Sequence, residues 1–426
     1  MIGPHPRDYR ERLRFSGTKR SNFLEDATSG WSIRSKRSRR TPARRPADFT
    51  CWGVSLAVTL RSASRALESK APQTNEMPTA IEHALAQYPR VPLTRTPTPL
   101  EHLEHLSGRL GPEIYIKRDD LTDLALGGDK PRKLEYELAL AQAAGAKVIV
   151  TCGSAQSNHA RLTAAAARKL GMGCAVVLSR DAYQAVQGNL LAVYLMGVDV
   201  HFIDTSDHWD LEQHAEELCQ QLREGGQRPH YIPVSGTTPR SCLGYVRAGA
   251  ELVQQIKEQD LKFDAVYTPF GTGGIFAATL FAMRASGIRC PWVGISVNRD
   301  VDTCYQNLER WWKALRDQLA VKPGGRGPCE IHDRFIGQAY GDPTEASLDA
   351  IMLMAETEGI LLDPVYSGKT CAGLVAHCQG GRWKPGQRIL MIHSGGVPAL
   401  FAYHEEIQKH LARHGRLPDE PVGNDR

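Results

Sequence analysis

The stretch KVIVTCGSAQSNHARLTAAAARKLGMGCAVVLS, residues 147–179, decides the fold. An apolar run of strand length (KVIVTCG) is followed by a segment with helical apolar spacing (SNHARLTAAAARKLGM) that stops at a glycine, then by a second strand-like run (CAVVLS). Two strands joined through a helix run parallel. Strands this continuously apolar belong to a sheet covered on both faces.

The same alternation extends outward. NLLAVYLMG (189–197), VDVHFID (198–204), DLEQHAEELCQQLREGG (210–226), YIPVSG (231–236) and CLGYVRAGAELVQQIKEQ (242–259) continue it, followed by DAVYTPF (264–270), FAATLFAMRASG (276–287) and WVGISV (292–297). ASLDAIMLMAETEG (346–359), GLVAHCQGG (373–381), RILMIHSGG (388–396) and PALFAYHEEIQKHLARHG (398–415) complete it. The class is α/β. In such sheets ligands sit beyond the carboxyl ends of the strands, so the strand-to-helix turns are where chemistry is sought.

With 426 residues the chain exceeds what one core usually organises. Its charge is uneven: residues 1–50 carry thirteen Lys/Arg against five Asp/Glu, and the remainder 39 against 42. The body is not basic, which argues against a nucleic-acid-binding globular domain. Residues 1–76, with RSKRSRRTPARR at 34–45, read as a disordered basic extension. Organellar targeting is a competing account that Asp8, Glu11, Glu25 and Asp26 weaken, and Met77 looks like a natural start for the folded part. No apolar run approaches the roughly 20 residues of a membrane span. The ten cysteines include no CxxC pair or zinc-like cluster, and His102 and His105 of EHLEH, read on a helix, lack ligand spacing. No metal is expected, and reduced thiols fit a cytoplasmic setting.

Three turns stand out. In VTCGSAQSNHAR, Gln156, Ser157 and Asn158 open a helix, where unpaired backbone N–H groups suit a carboxylate; plain capping by Ser157 or Asn158 is the competing account. In TPFGTGGIF, Gly271, Gly273 and Gly274 let backbone approach a phosphate and Thr272 adds a hydroxyl; tight helix–strand packing competes. A dinucleotide fails there, because Phe276 holds the sixth position of the motif and the next strand ends in Asn298 rather than an acid. In LLDPVYSGKTCAG, Asp363 replaces the glycine that a nucleotide loop needs, leaving a turn that presents Tyr366 and Ser367. A fourth segment, LALGGDKPRKLEYEL (124–138), puts Lys130 on a glycine hinge. A lysine, a monophosphate cup, a carboxylate site and a hydroxyl turn together suit pyridoxal 5'-phosphate.

YIKRDDLTDLALGGDKPRKLEY, CGSAQSNHAR, GTGGI, AYGDPTEASLDAI, EGILLDPVYSGKTCAGL and HSGGVPALFAY, in that order from about residue 88 to the last helix, resemble the D-cysteine desulfhydrase / 1-aminocyclopropane-1-carboxylate deaminase family of pyridoxal-phosphate enzymes. The resemblance implies the tryptophan-synthase-β-like fold: two domains, each with a mostly parallel sheet flanked by helices, and the cofactor in the cleft between them. The expected division is a larger domain from 77–132 and 243–426 and a smaller one from 133–242. It makes Lys130 the Schiff-base lysine, which would need mobile backbone beneath it. Asn158 would meet the cofactor's phenolic oxygen, Gly271, Thr272, Gly273, Gly274 and Ile275 its phosphate, and Ser367 its pyridine nitrogen. Gln156, Ser157, Asn158 and His159 would meet the substrate, with Ser157, Tyr340 and Tyr366 also catalytic. Lys117, Arg132 and Lys133 read as solvated or structural charges.

The cyclopropane deaminase branch has a carboxylate where this chain has Ser367, and glutamine where it has His159. A hydroxyl cannot compensate a full charge on the pyridine nitrogen, which favours rapid β-elimination over ring opening. The expected reaction is elimination from a small β-substituted amino acid, D-cysteine foremost. L-cysteate sulfo-lyase, racemase or cyclopropane deaminase activity on the same fold, and a non-catalytic cofactor-binding protein, are the alternatives. Asp129, Ile275 and Ser367 depart from the family's usual residues. A homodimer acting on a small amino acid, with no nucleic-acid or membrane partner, is expected.

Overall fold

The computed structural model describes residues 79–417 apart from 181, 182, 184 and 206; the basic extension 1–76, with its expected disorder or targeting role, lies outside the described residues. The strands are β1 Leu100–Leu103, β2 Glu113–Arg118, β3 Val148–Ser154, β4 Gly173–Ser179, β5 Asp199–Ile203, β6 Pro229–Tyr231, β7 Ala265–Phe270, β8 Trp292–Ser296, β9 Cys329–His332 and β10 Arg388–His393. They form two sheets. One runs β5-β4-β3-β6 and is parallel throughout, with Val148 opposite Gly173 and Pro229. The other runs β1-β2-β10-β7-β8-β9 and is parallel except where β1 pairs antiparallel to β2 at its edge.

Burial explains why these runs are strands. Every residue of β7 and β8 is buried, because helices cover both sheet faces. Each fully buried Val, Ile, Leu or Phe contributes about 1.5–3 kcal/mol before conformational entropy is charged against it. The rings of Phe270, Phe276 and Trp292 form one centre of this core, with centroids 5.3 and 6.2 Å apart along the chain of contacts. Ile149, Val176, Leu178 and Leu162 belong to a second cluster, around the four-stranded sheet.

Three local readings need correction. In YIPVSG only Tyr231 is strand; Pro233 interrupts it, and residues 234–236 form a 3-10 turn with Ser235 at φ 65°. His102 and His105 do not share a helix, since His102 lies on β1 and His105 on the helix Glu104–Leu110. The turn read at 361–373 is helical from Ser367 onward, in the helix Ser367–Gln379. Of the charges read as solvated or structural, Arg132, Lys117 and Lys133 are all buried, and Arg132 and Lys117 are structural. Arg132 Nη2 lies 2.9 Å from both Asp119 Oδ1 and Glu251 Oε1, and Lys117 Nζ 2.5 Å from Glu251 Oε1. Burial works against the charge on Asp119, but Arg132 and then Lys117 hold its carboxyl below the usual range. This network ties the first turn of the helix Lys130–Ala143 to β2 and to the helix Pro239–Glu258.

Candidate active site

Lys130 is the first residue of its helix, and the loop before it is unusual. Ala125, Leu126, Gly127 and Gly128 all have positive φ, of 41°, 69°, 69° and 126°. A Cβ on Gly127 would stand 1.8 Å from the carbonyl oxygen of Asp120, so only glycine fits. The hydroxyl of Thr122 donates to Gly128 O (2.6 Å) and accepts from Gly128 N (2.8 Å). The buried guanidinium of Arg161 donates to the carbonyls of Ala125 and Gly127, and Asp129 N–H donates to Ser394 O (2.9 Å). The glycines therefore serve close packing, and the mobile hinge expected beneath Lys130 is instead a pinned pedestal. From it the ammonium of Lys130 reaches both oxygens of Asp129 (2.9 and 2.8 Å) and lies 6.0 Å from the ring centre of Tyr366.

Lys130 opens into a cavity of about 110 Å³ also lined by Ser157, Asn158, His159, Gly271, Thr272, Gly273, Gly274, Ile275, Tyr340 and Tyr366. Eleven of the thirteen expected site residues thus meet in one cavity. Gln156 and Ser367 sit beside it. The amide of Gln156 donates to the carbonyls of Tyr183 (3.0 Å) and Gln187 (3.2 Å) and accepts from Asn189 N (2.9 Å), which binds the turn to the start of the helix Gly188–Leu195. Ser367 is fully buried; its hydroxyl donates to Asp363 Oδ1 (2.6 Å) and accepts from Asp363 N (2.8 Å).

At the turn after β3, Ser157 caps the helix Asn158–Lys169 by accepting from Ala160 N at 3.1 Å. Asn158 Oδ1 accepts from Asn189 Nδ2 (2.9 Å), which leaves its NH2 group as the donor for a ligand. His159 faces threonine hydroxyls at both ring nitrogens, Thr151 at 2.9 Å and Thr163 at 3.3 Å. Burial first, then the charges of Lys130 and Lys133, hold His159 well below the ordinary histidine range, so the ring is neutral.

The turn after β7 is built differently. Gly273, at φ 85°, precedes the helix Gly274–Ala285, and no side chain caps that helix. A Cβ on Gly273 would stand 2.6 Å from the Phe270 ring. The hydroxyls of Thr272 and Thr237 meet at 2.8 Å, and Lys133 Nζ donates to Thr237 Oγ1 at 2.9 Å. Lys133 is a buried cation whose hydrogen-bond partner is neutral, facing open helix N–H groups: an arrangement that wants an anion. Burial, then Lys130, brings its pKa down to about 8.

Lys133 is the main residue that sequence reasoning missed. Its signal was the spacing: three residues after Lys130, it shares that lysine's helix face. Asn298 and Arg299, at the end of β8, also line the cavity; Asn298 Oδ1 and Arg299 Nε are buried with no hydrogen-bond partner among the described residues. Opposite, the hydroxyls of Tyr340 and Tyr366 lie 2.6 Å apart. Burial, then Tyr340, pushes the Tyr366 phenol well above its ordinary pKa, so it stays protonated.

Residues 91–395 match the family model described as "Pyridoxal-phosphate dependent enzyme". The chain is 39% identical over 332 residues to the D-cysteine desulfhydrase of Serratia proteamaculans, covering 77% of this chain and 99% of that protein. It is 35% identical over 327 residues to a putative 1-aminocyclopropane-1-carboxylate deaminase of Pyrococcus abyssi, covering 77% and 97%. Among solved structures, one described as an ACC deaminase homologue superposes with a TM-score of 0.73 at 36% identity, covering 79% of this chain and all of that one. Threonine deaminase isoform 2 of Solanum lycopersicum, at a TM-score of 0.57, 21% identity and 78% and 88% coverage, shares the fold. The α/β fold expected from the sequence, with mostly parallel sheets flanked by helices, is the fold of these structures.

Proposed function

The chain belongs to the family of pyridoxal-phosphate dependent enzymes, within its D-cysteine desulfhydrase / 1-aminocyclopropane-1-carboxylate deaminase group, and on that premise we propose that it eliminates the β-substituent of D-cysteine, with water consumed and pyruvate, ammonia and hydrogen sulfide released. The residues present fit the cofactor. A buried Lys133 that donates to the neutral hydroxyl of Thr237, beside the helix start at Gly273, suits the phosphate, with Thr272, Gly271, Gly274 and Ile275 completing the cup. Lys130 is the amine for the aldehyde, Asn158 the donor for the phenolic oxygen, and Ser367 the neighbour of the pyridine nitrogen. When bound, the cofactor supplies the electron-withdrawing ring that takes up the pair left when Cα loses its proton.

The protein's own groups divide the remaining work. The Lys130 amine takes the Cα proton, with Asp129 orienting it. Ser157, whose oxygen already accepts from Ala160 N, offers its proton to the substrate carboxylate, together with backbone N–H groups of the helix start. Gln156 acts by holding Tyr183 and Gln187 against the turn. His159, neutral and engaged at both nitrogens, shapes the wall. The Tyr340–Tyr366 pair carries the elimination reading. At 2.6 Å the two share a proton path, and Tyr366 remains protonated, ready to meet the departing thiolate while partly exposed Tyr340 connects it to solvent.

One observation supports cyclopropane ring opening as the second reading. The buried Asp363 carboxylate takes the Ser367 proton at 2.6 Å, which leaves the serine oxygen an acceptor that would favour a protonated pyridine nitrogen. A panel of D- and L-cysteine, D- and L-β-chloroalanine, cysteate and 1-aminocyclopropane-1-carboxylate, assayed for keto acid, separates the readings. Pyruvate with sulfide from D-cysteine, at a kcat/KM at least about tenfold above the others, is expected. A four-carbon keto acid from the cyclopropane substrate as the dominant product refutes elimination.

A further inference from the structure

The helix Glu345–Glu358 and the last helix, His404–Arg413, bring together a group of side chains that the reaction does not use. Glu345 and Asp349 are four residues apart on the first; His410 and His414, also four apart, belong to the second and its C-cap. His410 Nε2 lies 3.0 Å from Asp349 Oδ1, and His414 Nε2 lies 3.5 Å from the same oxygen. One ligand atom from each of Asp349, His410 and His414 falls within 4.8 Å of the others. On its other side, His410 Nδ1 lies 3.1 Å from Glu345 Oε2, and Arg413 Nη2 donates to Glu345 Oε1 at 2.7 Å. The His410 side chain is 2% exposed, against 58% for Asp349 and 46% for His414.

We propose that Asp349, His410 and His414 bind a divalent transition-metal ion of the zinc class, with Glu345 holding His410 in the tautomer that presents Nε2 to it. Two observations point to a ligand independently of the residue types. A neutral imidazole has one N–H, yet buried His410 meets a carboxylate oxygen at each ring nitrogen, with Arg413 Nη2 also 3.4 Å from Nδ1; with the N–H on Nδ1 facing Glu345, the contact of Nε2 with Asp349 calls for a cation. The spacing is the other. Tetrahedral ligands at about 2.0–2.2 Å from a metal stand about 3.3 Å from one another; the two separations from Asp349 Oδ1 are 3.0 and 3.5 Å, and the two histidine nitrogens, within 4.8 Å of each other, would close in on the ion. The carboxylate behind the buried histidine is the partner that metal-bound histidines use to fix ring and tautomer. Two imidazoles and one carboxylate select Zn2+, Co2+ or Ni2+ over Mg2+ or Ca2+. This departs from the absence of metal expected from the sequence. The bound ion would fasten the last helix to the one that starts just after Tyr340, so its effect falls on stability rather than on the reaction.

The test uses untagged full-length holoenzyme freed of metals with a chelator, then titrated with Co2+ for absorbance and with Zn2+ for affinity and thermal unfolding. One Co2+ per chain with visible d–d bands, Zn2+ affinity tighter than about 10 µM and a rise in Tm of about 3 °C are expected. His414→Ala and Asp349→Asn, both at half-exposed positions, should each weaken Zn2+ binding at least tenfold and abolish the Tm rise, with keto-acid production within twofold of the unaltered enzyme. Absence of stoichiometric binding, or binding that either variant weakens less than tenfold, overturns the site and leaves these side chains as a hydrogen-bonded link between two helices.

Discussion

Two helix starts face the same cavity and are finished in opposite ways. The helix Asn158–Lys169 has its side chains set before a ligand arrives: Ser157 caps it, Gln156 is tied to Tyr183 and Asn158 to Asn189, and His159 is held between threonines. The helix Gly274–Ala285 is left open, with a left-handed glycine where a capping side chain would stand and Lys133 buried nearby on a hydroxyl. A protein leaves buried N–H groups and a buried cation under-satisfied only where a bound anion completes them. The open start is thus fitted to a permanently held phosphate, and the closed one to a substrate that comes and goes and finds its walls already set.

Predictions follow from this contrast in order of size. Lys130→Ala separates anchoring from chemistry: activity should fall at least about 10³-fold, while equilibrium dialysis still shows cofactor retained by the cup. Lys133→Met attacks the open start itself. It should raise the cofactor Kd about 30- to 100-fold, the loss of a charged hydrogen bond, yet leave the Tm of the cofactor-free protein unchanged or higher, because an uncompensated buried charge is gone. A lower Tm in that variant would mean the lysine is structural.

The same lysine gives a pH signature. Its pKa in the folded protein, about 8, lies below the ordinary 10.5, so at this group the unfolded chain binds more protons between those values and the contribution of Lys133 to stability grows as pH rises through that window. Inorganic phosphate affinity should fall across the same window, as the cation is lost. Denaturant titrations and phosphate binding at pH 7.5, 9 and 10.5 read both trends as the difference between the unaltered protein and Lys133→Met, a difference that removes the titration of Lys369 and of the buried cysteines common to both. Ser157→Ala, at the closed start, should do least: about 1 kcal/mol of stability from the lost cap and a several-fold rise in substrate KM, with cofactor affinity unmoved. A cofactor effect there as large as that of Lys133→Met would erase the distinction between the two starts.

Much of this was legible in the residues. Strand and helix alternation from 147 onward survives because parallel strands buried on both faces have no polar alternation to blur them. The glycines of 271–274 and the Gln156-Ser157-Asn158 turn were found because helix starts beyond strand ends have a chemical signature in sequence. What escaped depended on tertiary neighbours. Leu100–Leu103 is too short to read as a strand until β2 pairs with it. The flexibility assigned to Gly127 and Gly128 is undone by the Asp120 carbonyl and the Arg161 guanidinium, distant residues that no local pattern reveals. Lys133 looked like surface charge because its burial comes from Thr237, about a hundred residues away. The commitment of Ser367 to Asp363 was invisible for a different reason: both lie in one short turn, but their pairing depends on the helix beginning at Ser367.

The central claim is that the amine of Lys130, and not that of its neighbour Lys133, joins the cofactor. Borohydride reduction of the holoenzyme followed by peptide mass mapping tests it most directly: loss of the visible absorbance, with the cofactor's mass fixed on Lys130, is the predicted result. A label on Lys133, or reduction that leaves both lysines unmodified, would contradict it.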